Sequence, residues 1–310
     1  MTTYEEAARD GRPPTAFMAG MRGWGRELAN RGRIAFRRNP VGALGLLLVG
    51  GMLLVAVFAP QIATHAPNQL DPPSRLQPPS AEHLFGTDTL GRDIFSRVVY
   101  GSRISLGIAV AALAIAVPLG GAFGIMAGYS GGTVDLIVMR ITDIFLAFPV
   151  LILALAVNAA LGPGLKSAVI AVSFGGMWPP YSRVIRGQVM AAKNELYVEA
   201  ARSIGASNWR IILLHILPNC IGPIIIKMTL DAGFVVLTTA GLSFVGLGAQ
   251  PPLAEWGYMV NEGRQNILTQ WWWSVFPGLA IAWLVVGLNL VGDFLRDLLD
   301  PRLRGVGLGA

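Results

Sequence analysis

Glu199-Ala200-Ala201-Arg202-Ser203-Ile204-Gly205-Ala206-Ser207-Asn208-Trp209, running on to His215-Ile216-Leu217-Pro218, is a polar-surfaced segment set among long apolar runs. Helical geometry places Tyr197, Ala201 and Ile204 on one face and Glu199 and Arg202 off it. The spacing therefore predicts a short amphipathic helix rather than a spanning one. Gly205 is suited to the left-handed conformation that ends a helix, and Ser207 to capping the next. Pro218, without a backbone donor, marks where this element gives way to the following span. A short helix held between two spans offers a surface for another molecule to grip.

The rest of the chain explains what holds that segment. Of 310 residues, 53% are hydrophobic and only 14% charged, with mean hydropathy +0.55. The apolar residues come in blocks near the roughly 20 residues that cross a bilayer. The composition is that of an all-α integral membrane protein. One cysteine, Cys220, excludes an internal disulfide, and three scattered histidines argue against a zinc constellation, so no metal site is expected.

Residues 1–40 hold Arg9, Arg12, Arg22, Arg26, Arg31, Arg33, Arg37 and Arg38 against four acids. This basic segment precedes an uncharged run, Val41 to Ala59, and predicts a cytoplasmic N-terminus. A cleaved signal peptide is the competing reading, but the apolar run is longer than a normal signal core and no convincing cleavage site follows. Residues 41–103 form the first span and a proline-rich external segment with six prolines in its first part. Its second part, from His83 to Arg103, ends in an interfacial helix with Ile94, Phe95, Val98 and Val99 on one face and Asp93 and Arg97 spaced to pair.

Residues 104–295 are the membrane core. A second span covers about Ser105 to Gly128, where Gly120, Gly124 and Gly128 form a stripe for close helix packing. A third begins with Asp135, Met139, Arg140 and Asp143, then carries no charge from Ile144 to Leu165 and has Pro149 in its interior. Arg140 and Asp143 are spaced to pair, either as an interfacial salt bridge that fixes depth or as part of a gate or path. Gly162-Pro163-Gly164 turns the chain. Lys166-Ser167 is no phosphate loop, because Leu165 replaces the required glycine and no strand precedes it.

A fourth span covers about Lys166 to Tyr181. The loop after it carries Arg183, Arg186, Lys193, Arg202 and Arg210 against Glu195 and Glu199, which places residues 182–218 in the cytoplasm. A fifth span, about Asn219 to Leu247, contains Lys227 and Asp231, four apart on one face and spaced to pair. Residues 248–270 form a second external loop. Trp271, Trp272 and Trp273 open the last span at headgroup level, which ends near Val291, and residues 296–310 belong to a charged cytoplasmic tail. Six spans result, with both termini inside.

The Glu-Ala-Ala sequence, the glycine six residues after the glutamate and the Leu-Pro a dozen residues on resemble the EAA loop of ABC importer permeases. His215 departs from the broad pattern, where an apolar residue is usual, and resembles the peptide and nickel subgroup. The segment from His83 to Arg103 and the Asp135, Met139, Arg140, Asp143 pattern before Pro149 resemble the same subgroup. The alternative is an amphipathic loop helix of an unrelated membrane protein.

The resemblance covers roughly residues 80–305 and implies a type I importer permease. Loop 186–218 would be a coupling loop whose helix docks into a cytoplasmic ATPase through Glu199, Ala200, Ala201, Gly205, Ser207, Leu217 and Pro218. Arg140, Asp143, Lys227 and Asp231 are candidates for the translocation path or gate. The implied partners are a second, related permease, two ATPase subunits that hold the ATP and magnesium, an extracytoplasmic solute-binding protein and the lipid of a bacterial inner membrane. No cofactor, catalytic residue or nucleic acid is implied for this chain. Peptide is the implied substrate, with nickel chelates, glutathione or another small solute as alternatives. A secondary transporter or channel would show inverted repeats and midplane polar residues, and an intramembrane enzyme a catalytic pair at membrane depth; neither pattern is evident.

Overall fold

The computed structural model describes residues 39–299. The basic stretch before Asn39 and the residues from Asp300 onward lie outside the described residues. Twelve α-helices account for most of the described chain, and among the described residues there is no strand beyond an isolated bridge between Thr87 and Asp93.

Helix α1, Pro40–Val57, is capped by Asn39, whose side chain accepts from the Gly42 amide. A short α2, Ala59–Ile62, follows it. The 31 residues from Ala63 to Asp93 then have no regular structure beyond a single 3-10 turn at Pro72–Ser74. Proline density accounts for this, since each proline removes a donor and biases the residue before it away from the helix.

Helix α3 runs unbroken from Ile94 to Ser130, 37 residues capped by Asp93. The expected interfacial helix and second span are thus one element. Nothing interrupts the hydrogen-bond ladder between them, and Pro118 is accommodated within it. Because Asp93 faces back to cap Ser96, it does not pair with Arg97.

The expected third span is broken. Helix α4, Gly132–Leu146, and α5, Val150–Leu161, meet at 89° across a three-residue gap. Pro149 is the cause: it cannot donate to the ladder, and it drives the preceding residue out of helical conformation. Helix α6, Leu165–Val172, passes through a π-turn at Ser173–Met177 into α7, Trp178–Lys193. The next segment repeats the device. Helix α8, Leu196–Ser203, is followed by α9, Asn208–Ile211, which continues through a π-turn at Ile212–Ile216 into α10, Leu217–Phe244.

Each π-turn lies just before a proline, Pro179-Pro180 in one case and Pro218 in the other. The wider turn accommodates a ring that would clash with the carbonyl four residues back. Pro218 therefore does not end an element as expected. It sits inside a continuous helix and offsets its two halves.

Helix α11, Trp256–Gly263, and α12, Trp272–Leu299, complete the chain. The last helix continues past Val291 through Asp293, Arg296 and Asp297, and Asn39 donates to Asp297 at 2.9 Å. Among the described residues four helices are long and apolar enough to cross a membrane, or five if the bent α4–α5 pair is one span. The α6–α7 rod is not among them.

Packing follows the small residues. A Cβ on Gly124 would lie 2.7 Å from the Ser182 carbonyl oxygen, and one on Gly128 2.8 Å from that of Arg186. Only glycine lets α7 lie this close to α3. At the other side of the bundle, Gly42 and Gly45 of α1 admit Phe294 and Leu290 of α12. The buried interior is apolar, with Ala112, Ala116, Tyr181, Ile185, Val235, Leu242 and Leu284 among its most enclosed residues. Outward faces carry exposed Leu47, Leu54, Val110, Ile152 and Leu237, the pattern of a bundle solvated by hydrocarbon.

Candidate functional site

The loop between α7 and α10 is built from the residues of the opening stretch. Asn194 caps α7, and Lys193 donates to the Tyr129 carbonyl at 2.6 Å and lies over the Tyr129 ring. Tyr129 in turn donates to Asn208 Oδ1 at 2.6 Å. The Asn219 amide donates to the Tyr197 hydroxyl at 2.9 Å and to the His215 carbonyl at 2.8 Å. These polar ties fix α8 and α9 to the α3–α4 turn and to the start of α10.

Helix α8 ends at Gly205, which has φ +80°. A Cβ there would meet open space, so it is the left-handed backbone, not crowding, that requires glycine. Ser207 accepts from the Arg210 amide and caps α9, as its position predicts.

The buried face of α8 differs from the expected one. Val198 and Ala201 are buried, whereas Tyr197 is 41% and Ile204 86% exposed. Val198 was not singled out in the sequence, although its i,i+3 spacing to Ala201 was the available signal. Ala201 packs into its own chain, while Glu199, Ala200, Gly205 and Ser207 are exposed, Leu217 is half-buried and Pro218 exposed. Leu196 at 81% and Trp209 at 73% are, with Ile204, large apolar side chains exposed on the same short segment as Glu199.

The membrane charges pair differently from one sequence expectation and in agreement with another. Asp143 accepts from Arg183 of α7 at 2.6 Å, not from Arg140, and Asp135 makes a bidentate pair with Arg186. Helices α4 and α7 pack side by side, so these long-range partners win over a local i,i+3 pair. Among the described residues Arg140 makes no ion pair. Lys227 and Asp231 do pair, Nζ lying 3.0 Å from Oδ2 and donating to Oδ1 at 3.3 Å. Lys227 also sits 5.1 Å from the Tyr181 ring centroid. The path candidates thus fall into two groups, Arg140 and Asp143 on α4 and the Lys227–Asp231 pair on α10.

At the opposite end, residues 63–93 and the loop around α11 interlock into a cap that the sequence reading missed. Arg92 donates to Asp88 at 2.6 Å and to Glu262 at 2.9 Å, and Arg97 donates to the carbonyl of Pro67 and the side chain of Asn68. Burial lowers the Arg92 pKa, but the two carboxylates outweigh it and hold the group above its ordinary value. Glu255 caps α11 by accepting from the Gly257 and Tyr258 amides, and burial pushes its carboxyl up despite those bonds. Trp256 donates to the Val98 carbonyl at 2.9 Å. Of the three tryptophans expected at headgroup level, only Trp271 is substantially exposed; Trp272 and Trp273 are buried against the cap. Opposite charges on the two loops were the available signal for this cap, but nothing in the sequence shows which pairs meet.

The comparisons with known proteins agree with this architecture. Residues 120–305 match the family described as "Binding-protein-dependent transport system inner membrane component", and residues 30–79 match the N-terminal TM domain of oligopeptide transport permease C. One relative is the Escherichia coli (strain K12) protein named "Probable D,D-dipeptide transport system permease protein DdpC". It is 47% identical over 86% of this chain and 89% of its own. The dipeptide transport system permease protein DppC of Alkalihalophilus pseudofirmus is 44% identical over 86% and 88%. The glutathione transport system permease protein GsiD of Escherichia coli O6:K15:H31 is 44% identical over 87% and 89%. With more than half its length matched by the family and relatives above 40% identity along most of the rest, the chain belongs to the inner membrane components of binding-protein-dependent transport systems.

Proposed function

We propose that the chain forms half of the translocation pathway of an ATP-driven peptide importer and couples to a separate ATPase through residues 186–218. The observation that carries the reading is the exposure of Leu196, Glu199, Ile204 and Trp209 along a short segment tied to the bundle by Tyr129, Lys193 and Asn219. A surface of this kind passes force in both directions only if its base is rigid, and the polar ties supply that rigidity.

The six-span arrangement is part of this proposal. The spans are α1, α3, the bent α4–α5 pair, α6 with the start of α7, α10 from about Asn219, and α12, with both termini and loop 186–218 in the cytoplasm and the cap outside. The basic excess in residues 182–218 supports that orientation. The chain would pair with a second, related permease and two ATPase subunits that bind ATP and magnesium, and would receive substrate from an extracytoplasmic binding protein.

Peptide is the favoured cargo because relatives named for dipeptides resemble the chain over most of its length. Glutathione, itself a tripeptide, is the second reading, favoured by the relative named for it. The test is expression of the full transporter in vesicles with ATP inside and either labelled dipeptide or labelled glutathione offered with the binding protein. ATP-dependent dipeptide uptake, with the ATPase co-purifying, is the expected result. ATP-independent uptake, or a chain that purifies without an ATPase, overturns the reading.

A further inference from the structure

The sequence places His65 and His83 eighteen positions apart, in the irregular segment before α3. The fold closes that distance. His83 Nδ1 lies 3.0 Å from Asp93 Oδ1, His65 Nδ1 lies 3.9 Å from Asp93 Oδ2, and the two imidazole rings are 4.9 Å apart. One ligand atom from each residue falls within 4.8 Å of the other two.

We propose that His65, His83 and Asp93 form a binding site in the cap for a divalent transition-metal ion of the zinc class. The donor set is the first argument. Two imidazole nitrogens and one carboxylate suit zinc and its neighbours, whereas magnesium and calcium take oxygen ligands. Geometry is the second. Zinc bonds nitrogen and oxygen at about 2.0–2.2 Å, so ligands on a tetrahedral ion stand about 3.3–3.5 Å apart. The observed separations bracket that value. The adjustment needed falls on His65, whose side chain is 31% exposed and can move.

Electrostatics is the third argument. Asp93 is 2% exposed and has no lysine or arginine partner among the described residues, although Arg92 and Arg97 flank it in sequence. Those arginines are drawn away to Asp88 and Glu262. Among the described residues the ion pairs of this carboxylate are with the two imidazoles, and a divalent ion would neutralise it in place.

The surroundings also pre-orient the ligands. The Ser96 amide donates to Asp93 Oδ2 at 2.8 Å, and the His65 amide donates to Ser96 Oγ at 3.0 Å, so two of the three ligands are tied to the first turn of α3. Three protein ligands leave the fourth position of a tetrahedral ion to water. An ion there would fasten the chain after α2, the loop at His83 and the start of α3 into one unit.

The test uses the purified full chain, stripped with a chelator, given zinc and passed through gel filtration, with retained metal measured by atomic absorption. Cobalt(II) replaces zinc in a parallel sample, read by its visible ligand-field bands. Wild type should retain one zinc per chain and give a tetrahedral cobalt spectrum, and zinc should raise its melting temperature. His65→Ala and His83→Gln should each weaken binding by at least about tenfold and abolish the zinc-dependent melting shift, while His215→Ala should bind as wild type. Zinc retention by wild type no greater than by the His65→Ala, His83→Gln double variant overturns the site. Undiminished binding by His65→Ala overturns it too, and that partly exposed position decides the question even if His83→Gln does not fold.

Discussion

Glu199 is exposed, with its carboxylate free for a partner, and its neighbours Leu196 and Ile204 are among the most exposed apolar side chains of the chain. Reversing its charge leaves the fold of this chain alone and puts repulsion into the proposed ATPase groove. Glu199→Lys should therefore reduce ATP-dependent uptake to background at unchanged membrane abundance, measured by transport assay and immunoblot; wild-type uptake removes this loop from the mechanism. Arg92 is the opposite kind of residue. It is 3% exposed and pairs with Asp88 and Glu262, so Arg92→Leu leaves the buried Asp88 without its cation and Glu262 with Arg97 alone, 3.6 Å away. A loss of about 3–5 kcal/mol is expected, read as a lower melting temperature in detergent. A melting curve identical to wild type shows that the cap is held by other contacts.

Among the elements, α3 and α7 are joined by the glycine stripe. A side chain at Gly124 would collide with the Ser182 carbonyl and the Ile185 side chain, and the backbone there has no room to yield. Gly124→Leu should cost at least about 1–3 kcal/mol from overpacking and lower the yield of folded protein, whereas Gly187→Leu, where open space surrounds the position, should not. Equal yields of the two variants contradict the close approach of α3 and α7. The π-turns carry a related lesson. A proline in a long apolar run reads as an end, yet at Pro218 the helix widens and continues, whereas at Pro149 it breaks. A proline removes the same donor at both positions, so its presence in an apolar run does not by itself tell a break from a widened turn.

At the scale of the molecule, the cap and the loop between α7 and α10 occupy opposite ends of the bundle, and the charged pair Lys227–Asp231 lies on α10 between them. Lys227 is about 13 Å along the helix from Pro218 at roughly 1.5 Å per residue. Neutralising both residues, Lys227→Met with Asp231→Asn, should impair transport while the permease pair still assembles, measured by uptake and by co-purification of the second permease. Loss of assembly shows instead that the pair is structural. The topology is tested by impermeant thiol labelling with Cys220 replaced: Ser80→Cys should label from outside and Ser207→Cys should not. The reverse pattern sinks the proposed orientation.

The sequence by itself determined the class of the molecule. Hydrophobic effect and backbone hydrogen bonding leave a chain with such apolar runs little choice but membrane helices, and those properties are local. Gly205 and Ser207 were legible for the same reason, because helix ends are written in the residues that form them. The Lys227–Asp231 pair was legible because four positions on one helix fix the geometry. What only the tertiary structure decided are the choices between competing partners. Asp143 takes Arg183 rather than Arg140, Asp93 caps α3 beside two histidines rather than pairing with Arg97, and Val198 rather than Tyr197 turns inward. Asp143 depends on α7 lying beside α4, forty residues further along the chain, and Asp93 on how the irregular segment before α3 folds back over its first turn; a linear spacing carries no information about which of several candidate neighbours arrives.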